Sequence, residues 1–232
     1  MTAPARVTLD IFGVDTSRVP SALGAMARDR RLLRRVPGLT FAKLLGTGSG
    51  RTFTATDADL HHWAVLACWA QPADAEAFAR GPVIHRWLGR SHEQLHVDLV
   101  PLSSQGRWAG RDPFGPVAPS RWDGPVAAIT RARLRPRHAV TFWRSAPPVA
   151  AALQAHEGLR LSLGIGEAPV GLQGTFSLWR DAASLRAFAY DDRKHVAVIE
   201  RTRDVGWYAE ELFARFAVHT VRGTFAGQPV TW

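Results

Sequence analysis

Apolar positions alternate along RVTLDIFGV, residues 6–14, the period-two pattern of a half-buried strand. From about Ser17 to Arg35 the spacing becomes that of an amphipathic helix, stopped by Pro37-Gly38. A second strand, LTFAKLLG, runs into a Gly/Ser/Thr loop, GTGSGRTFTATDAD. A strand at HWAVLACW, a helix from Pro72 to about Leu88 and a strand at HVDLVPL follow, so the order is βαββαβ. The stretch RDPFGPVAPSRWDGP, residues 111–125, then has the Pro and Gly content of a domain junction. Beyond it the same order returns: strand PVAAITRARL, a helix from about Arg137 to Ala155 ended by Glu157-Gly158, strands LRLSLGIG and GTFSLW, a helix opening after Arg180, and a closing strand FARFAVHTV.

Residue matches make this a duplication. Trp69 and Trp179, Ala77 and Ala187, Phe78 and Phe188, and His85 and His195 share an offset of 110, whereas Gly38 and Gly158, Leu39 and Leu159, and Gly46 and Gly166 share an offset of 120. The second copy therefore has a shorter loop, with the deletion in the Gly/Ser stretch, where loops tolerate it. Each unit predicts a four-stranded antiparallel sheet with helices on one face. The bare faces can then bury each other, which predicts an α+β fold of two tandem ferredoxin-like βαββαβ units packed as a pseudo-dimeric α+β barrel. The halves divide at residues 1–115 and 116–232.

Composition narrows the function. With 46% hydrophobic and 21% charged residues the chain is ordinary globular material, which excludes a disordered or fibrous protein. The single cysteine, Cys68, excludes an intramolecular disulfide framework, and its apolar neighbours WAVLACW read as core. The net charge of +9 comes from 27 Arg and 2 Lys against 20 acids, spread along the whole chain. That distribution, without a recognisable module, argues against nucleic acid as a partner. Only RDRRLLRR, residues 28–35, is a cluster, and it reads as a solvated helix face, with an anionic partner or membrane surface as the other reading. No stretch is long and apolar enough to span a bilayer, and the N-terminus has no leader pattern. The expected location is cytoplasmic, with peripheral membrane contact left open.

Several motifs carry little. GTGSG at 46–50 does not lead into a helix, so it is not a phosphate loop, and LGIGEAP reads as a turn between strands. His61-His62, with His92 and His96, lack an assignable third ligand for zinc. No nucleophile elbow is present. His195 stands out because Phe188, His195, Ile199 and Thr202 fall on one face of a helix that runs on past Arg180. An imidazole set among apolar side chains is suited to be the axial ligand of a haem iron, but spacing alone favours a half-buried histidine bonded to a backbone carbonyl.

The stretches GRWAGRDPF (106–114), FWRSAPPV (142–149), LGIGEAPVGLQGTFSLW (163–179), RAFAY (186–190) and above all GWYAEELFARFAV (206–218) resemble the spheroidene monooxygenase family of carotenoid biosynthesis. The resemblance runs along nearly the whole chain and departs at Ser162, where the family pattern leads one to expect Lys. It implies an iron-containing, haem-dependent enzyme using O2 to install a keto group on an acyclic carotenoid. It also implies an apolar small-molecule substrate, an electron donor such as a ferredoxin, and a monomer or homo-oligomer.

At fold level the family is similar to dimeric α+β barrel haem proteins, which hold haem through a histidine on a helix of the C-terminal half. Carried over, His195 is the iron ligand to haem b (iron protoporphyrin IX), with His85 as its rival. Phe188 and Ile199 then pack on the haem, and Arg131 and Arg133 pair with its propionates. Ser177, Arg215 and His219 are the candidate catalytic groups. Two alternatives stay open: a haem enzyme of the same barrel with another reaction, aldoxime dehydratase-like or peroxidase-like, and a haem-free barrel that is a binding module.

Overall fold

A computed structural model describes residues 3–52, 54, 57–118, 120–135, 139–168, 174–191 and 208–232, of which 139–146 and 190–191 are described by their backbone alone. The first copy comprises β1 (Arg6–Gly13), α1 (Val19–Leu33), β2 (Leu39–Gly48), β3 (Ala58–Trp69), α2 (Pro72–Ala79), α3 (Pro82–Leu88) and β4 (Glu93–Gly106). The second comprises β5 (Val126–Leu134), α4 (Ala139–Gln154), β6 (Leu159–Gly166), β7 (Gly174–Trp179), α5 (Ala182–Asp191) and β8 (Tyr208–Phe225), followed by a short β9 (Gln228–Pro229).

Among the described residues the strands run in the order β4-β1-β3-β2-β6-β7-β5-β8-β9, and β4 also pairs with β8. Each copy is thus a four-stranded antiparallel sheet of the expected connectivity, and the two sheets join at both edges. The β2–β6 seam is short, Gly46 to Gly48 against Gly166 to Gly164, whereas the β4–β8 seam is long, from Leu95 against Gly223 to Gly106 against Leu212. The result is a closed ring of eight strands. Closure seals the β4–β8 edge along most of its length and the β2–β6 edge at one end.

The inward positions of both copies fill the ring. Val7, Leu9 and Ile11 of β1 meet Leu163 and Ile165 of β6, Phe176 and Leu178 of β7, and Phe216 of β8 in one apolar cluster. The lumen is a packed core, and burying each such side chain stabilises the fold by about 1.5–3 kcal/mol. Two further clusters lie outside the ring, between each sheet and its helices.

The duplication is visible in the register. Trp69 pairs with Leu39 across β2–β3, and Trp179 pairs with Leu159 across β6–β7. Each indole lies on a phenylalanine, Trp69 on Phe78 at 4.9 Å and Trp179 on Phe188 at 5.5 Å. The Gly38 carbonyl accepts from Ala70 N at 2.9 Å, and that of Gly158 from Arg180 N at 2.8 Å.

Several local expectations need correction. The helix expected over 72–88 is two, α2 and α3, because Pro82 has no N–H to continue the ladder and Gly81 N bonds back to Phe78 O at 2.8 Å. Gly46–Gly48 belong to β2, where they pair with β6, instead of opening the Gly/Ser loop. β4 and β8 are longer than their apolar runs because each seals the other's edge. The junction is partly core: Phe114 is fully buried with its ring edge-on to Phe216 at 4.8 Å. The helix after Arg180 opens on Asp181, whose Oδ1 accepts from Ser184 N at 2.7 Å. That bond, with Arg180, holds the carboxyl at a pKa of about 2.

Candidate functional site

The outward face of the second sheet differs from that of the first. In the first copy, Ala42, Ala67, Thr8 and Asp98 form one row across β2-β3-β1-β4, and Leu44, Val65, Asp10 and His96 form the next. Gly46, Trp63, Phe12 and Gln94 follow. Leu44, Val65, Trp63 and Phe12 are buried under α1–α3, and Phe12 stacks on Trp87 at 5.4 Å. The matching second-copy rows are Ser162, Ser177, Ala128 and Arg215, then Gly164, Thr175, Thr130 and Phe213. Ala132, beside Glu211, stands where Phe12 stands. Glycine, threonine and alanine thus replace Leu44, Val65 and Phe12. Thr130 and Arg215 are exposed, and Phe213, a large apolar side chain on a sheet face, is 43% exposed.

The polar atoms on this face are specific. Trp179 Nε1 donates to Ser177 Oγ at 2.8 Å, which leaves the Ser177 hydroxyl hydrogen free to be offered elsewhere. Ser162 is 7% exposed, and its Oγ has no hydrogen-bond partner among the described residues. A buried hydroxyl without a partner costs about 1–3 kcal/mol, so this face carries an unsatisfied group where the first copy has Ala42.

Ser177, Arg215 and His219 lie on this outward face, as strand alternation requires. Ser177 and Arg215 flank Ala128 in one row, whereas His219 sits at a bulge of β8 and stacks on Trp122 at 5.2 Å. Phe188 is buried in the helix-side cluster against Trp179 and His156. Arg131 and Arg133 alternate to the other side of β5. Arg131 is 5% exposed and committed to Glu210 and, at 3.3 Å, to Glu167. It does not converge with Ser177 and Arg215. Arg133 is exposed beside Glu210. His195 and Ile199 lie outside the described residues. His85, the counterpart of His195, is exposed, with Nδ1 3.1 Å from the carbonyl of Gly81, and faces away from the sheet core. Cys68 is buried in the lumen, and burial pushes its thiol pKa up, so it is not a nucleophile.

The histidines weighed as zinc ligands are held by carboxylates. His62 is gripped between Asp59 at 2.6 Å and Glu93 at 2.8 Å, and His96 bonds Asp10 at 2.8 Å. Among the described residues no group of three potential ligands could hold a metal ion.

Sequence reasoning missed a charged cluster at one end of the ring. Glu167 accepts from Lys43 Nζ at 2.6 Å and Trp108 Nε1 at 2.7 Å, while Arg131 lies over the Trp108 ring at 5.6 Å. Glu210 accepts from Arg131 and from the amides of Ala109 and Gly110 at 3.0 and 2.7 Å. Burial raises the pKa of Glu167, but the bonds from Lys43 and Trp108 outweigh it and hold the carboxyl below its usual range. The partners come from β2, the 107–111 turn, β5, the 167 turn and β8, so no local spacing signals them. The available hint was Glu167 directly after a Gly-rich strand end.

The structure is therefore a duplicated, closed α+β barrel in which the outward face of the second sheet carries smaller and more polar side chains than that of the first. Its fold is shared with aldoxime dehydratases. A crystal structure of the aldoxime dehydratase OxdRE with butyraldoxime matches at a TM-score of 0.56 and 10% identity, covering 92% of this chain and 79% of that one. Another aldoxime dehydratase matches at 0.51 and 12% identity, covering 92% and 80%. No family model matches.

Sequence relatives are closer. Spheroidene monooxygenase of Rhodobacter capsulatus is 38% identical over 225 residues, covering 95% of this chain and 93% of that protein. That of Cereibacter sphaeroides is 33% identical over 225 residues, covering 96% and 69%. That of Rubrivivax gelatinosus is 34% identical over 193 residues, covering 83% and 73%. The chain belongs to the spheroidene monooxygenase family, a family of oxidoreductases.

Proposed function

We propose that the chain is a haem-dependent monooxygenase that oxidises an acyclic carotenoid or similar apolar substrate with O2, and that haem b sits on the outward face of the second sheet. The observation that carries this reading is the exchange between copies. Leu44, Val65 and Phe12, which fill the first interface, give way to Gly164, Thr175 and Ala132, while hydroxyls and a guanidinium enter at Ser162, Ser177 and Arg215. A planar group laid on such a face meets backbone and small side chains where the first copy has bulk, and the unpartnered Ser162 Oγ gains a neighbour.

In this reading His195 holds the iron, and bound haem supplies the activation of O2 for oxidation of a C–H bond. A neutral imidazole donates less electron density than a thiolate, so proton donors on the sheet side matter more. Ser177, fixed by the Trp179 N–H, presents its hydroxyl proton from a set position. Arg215 supplies a permanent positive charge and a bidentate donor suited to a carboxylate. The relatives' names favour a carotenoid as substrate, and an electron donor such as a ferredoxin would supply the reducing equivalents. The long β4–β8 seam already joins the two copies within one chain, so the barrel is complete in a monomer, and a homo-oligomer would form through other surfaces. Among the described residues no helix is long and apolar enough to cross a membrane, and we place the enzyme in the cytoplasm.

The test is a UV-visible haem titration of the native chain beside His195→Ala. The expected result is stoichiometric uptake with a histidyl Soret band that the substitution abolishes or shifts. A native chain that takes up no haem overturns the reading, and an unchanged spectrum in His195→Ala removes His195 as the ligand.

A further inference from the structure

The arginine-rich stretch of the sequence folds into a face that the proposed oxidation does not use. α1 buries Ala22, Ala25, Met26 and Leu33 against the first sheet. Its remaining positions turn outward, and at the C-terminal end these are Arg28, Arg30, Arg31, Arg34 and Arg35, all exposed. The acid within this helix, Asp29, is fully buried and already bonded to Arg28 at 2.9 Å and Arg86 at 3.4 Å. The outer face of α1 is therefore cationic with no exposed acid of its own.

The end of α3 extends the charge. Arg90 stacks on Trp87 at 5.1 Å, and its buried NH1 has no hydrogen-bond partner among the described residues. Burial first, and then the charges of Arg28, Arg86 and Arg18, lower the Arg90 pKa against the opposing pull of Asp29. These arginines are thus close enough to repel one another. Concentrated positive charge of this kind is unfavourable in the free protein and is relieved by an external anion or anionic surface.

Apolar groups accompany the charge. Leu32, on the side of α1 toward α2 and α3, and Leu88 are 37% and 40% exposed. Between the end of α1 and the α2–α3 corner lies a mostly apolar groove of about 390 Å³, lined by Leu32, Val36, Phe78, Pro82 and Val83 and flanked by Arg35 and Arg86. Asp74 is the one acid lining it. Arginines beside exposed leucines and an apolar groove match the two layers of a membrane surface, anionic headgroups above acyl chains. An acidic protein surface complements the charge alone and leaves the leucines unexplained.

We propose that the outer face of α1, with the adjoining end of α3, is a docking surface for an anionic lipid membrane. The proposal does not depend on haem or on the reaction assigned above. Arg31, Arg34 and Arg35 carry its test, because their side chains make no hydrogen bond or ion pair among the described residues, and changing them leaves the backbone contacts of α1 intact. Each arginine near an anionic surface raises partitioning about fivefold.

The experiment is co-sedimentation of the full chain with vesicles of equimolar phosphatidylcholine and phosphatidylglycerol, and with vesicles of phosphatidylcholine alone. The native chain is expected to bind the mixed vesicles, to leave them progressively as salt is raised, and to ignore phosphatidylcholine. The triple variant Arg31→Gln, Arg34→Gln, Arg35→Gln, with unchanged circular dichroism and melting temperature, is expected to partition roughly a hundredfold more weakly. Leu32→Asn is expected to weaken binding without changing its salt dependence. No binding to mixed vesicles, equal binding to both compositions, or binding that the native chain retains at high salt overturns the proposal. Retention on immobilised polyglutamate without vesicle binding overturns it too, and assigns the face to an acidic protein. The salt series uses only the native chain, so misfolding of a variant does not spoil the test.

Discussion

Gly164 stands in the second sheet where Leu44 stands in the first: Leu44 pairs with Val65 across β2–β3, and Gly164 pairs with Thr175 across β6–β7. One position is filled and the other is left without a side chain. The two copies of one supersecondary unit thus differ at equivalent positions, and that difference carries the haem site proposed above.

Restoring the bulk should close that site. Gly164→Leu is expected to weaken haem uptake at least tenfold, a cost of about 1.4 kcal/mol, with circular dichroism checking that the variant folds. The check is the haem titration with the variant beside the native chain. A variant that binds haem as tightly as the native chain places the group elsewhere.

The charged cluster at the end of the ring should matter for stability more than for chemistry. Arg131 is 5% exposed and bridges Glu210 and Glu167. Removing one partner from a buried pair leaves an uncompensated charge, which costs about 3–5 kcal/mol when burial is complete. The Glu167 side chain is 36% exposed, so solvent screens part of that. Arg131→Ala is therefore expected to lower the unfolding free energy by about 2–3 kcal/mol, read from urea denaturation. Arg131→Lys should recover only part, because a single ammonium cannot reach both carboxylates as the guanidinium fork does.

A third expectation concerns pH. His62 bonds Asp59 and Glu93, and Glu93 in turn accepts from Thr224 Oγ1 at 2.9 Å and from the amides of Ala226 and Gly227 at 3.0 Å. The imidazole therefore ties the β8–β9 turn to β3 and β4. Burial lowers the His62 pKa, but the two carboxylates outweigh it, so the folded value lies above 6.5. A raised histidine pKa contributes stability that is complete below the unfolded value and is lost as pH rises through the folded one. Asp59 and Glu93 are shifted down, so their contribution is present above their unfolded values and fades in acid. The turn should be held most firmly between these titrations and loosen on either side.

Amide exchange at Ala226 and Gly227 across pH measures this once the intrinsic rates are divided out. His62→Ala should abolish the loosening on the alkaline side. His61 and His92 lie within 4.0 Å of the same carboxylates, so His61→Ala and His92→Ala serve as the comparison.

Much of this architecture is determined locally. Period-two alternation marked the strands, and matches such as Trp69 with Trp179 revealed the duplication before any coordinates, because a repeated unit repeats its core contacts. The fold class followed, since a sheet with helices on one face must bury the other. Some detail was legible but unread, as in the break between α2 and α3, which Gly81-Pro82 signals by chemistry alone.

Tertiary structure decided what depends on partners distant in the chain. Alternation places Arg131 with Arg133 and Ser177 with Trp179, yet it cannot say which face lines the ring, because both faces of a strand have the same period. Only the pairing of β4 with β8 and of β2 with β6 separates inside from outside. That closure turned Arg131 toward Glu167 and Glu210 and drew Phe114 from the junction into the core, while the pairing of β6 with β7, β7 with β5 and β5 with β8 set Ser162, Ser177 and Arg215 in one row. The sequence by itself determined the elements and their repetition, and ring closure determined which of their side chains meet.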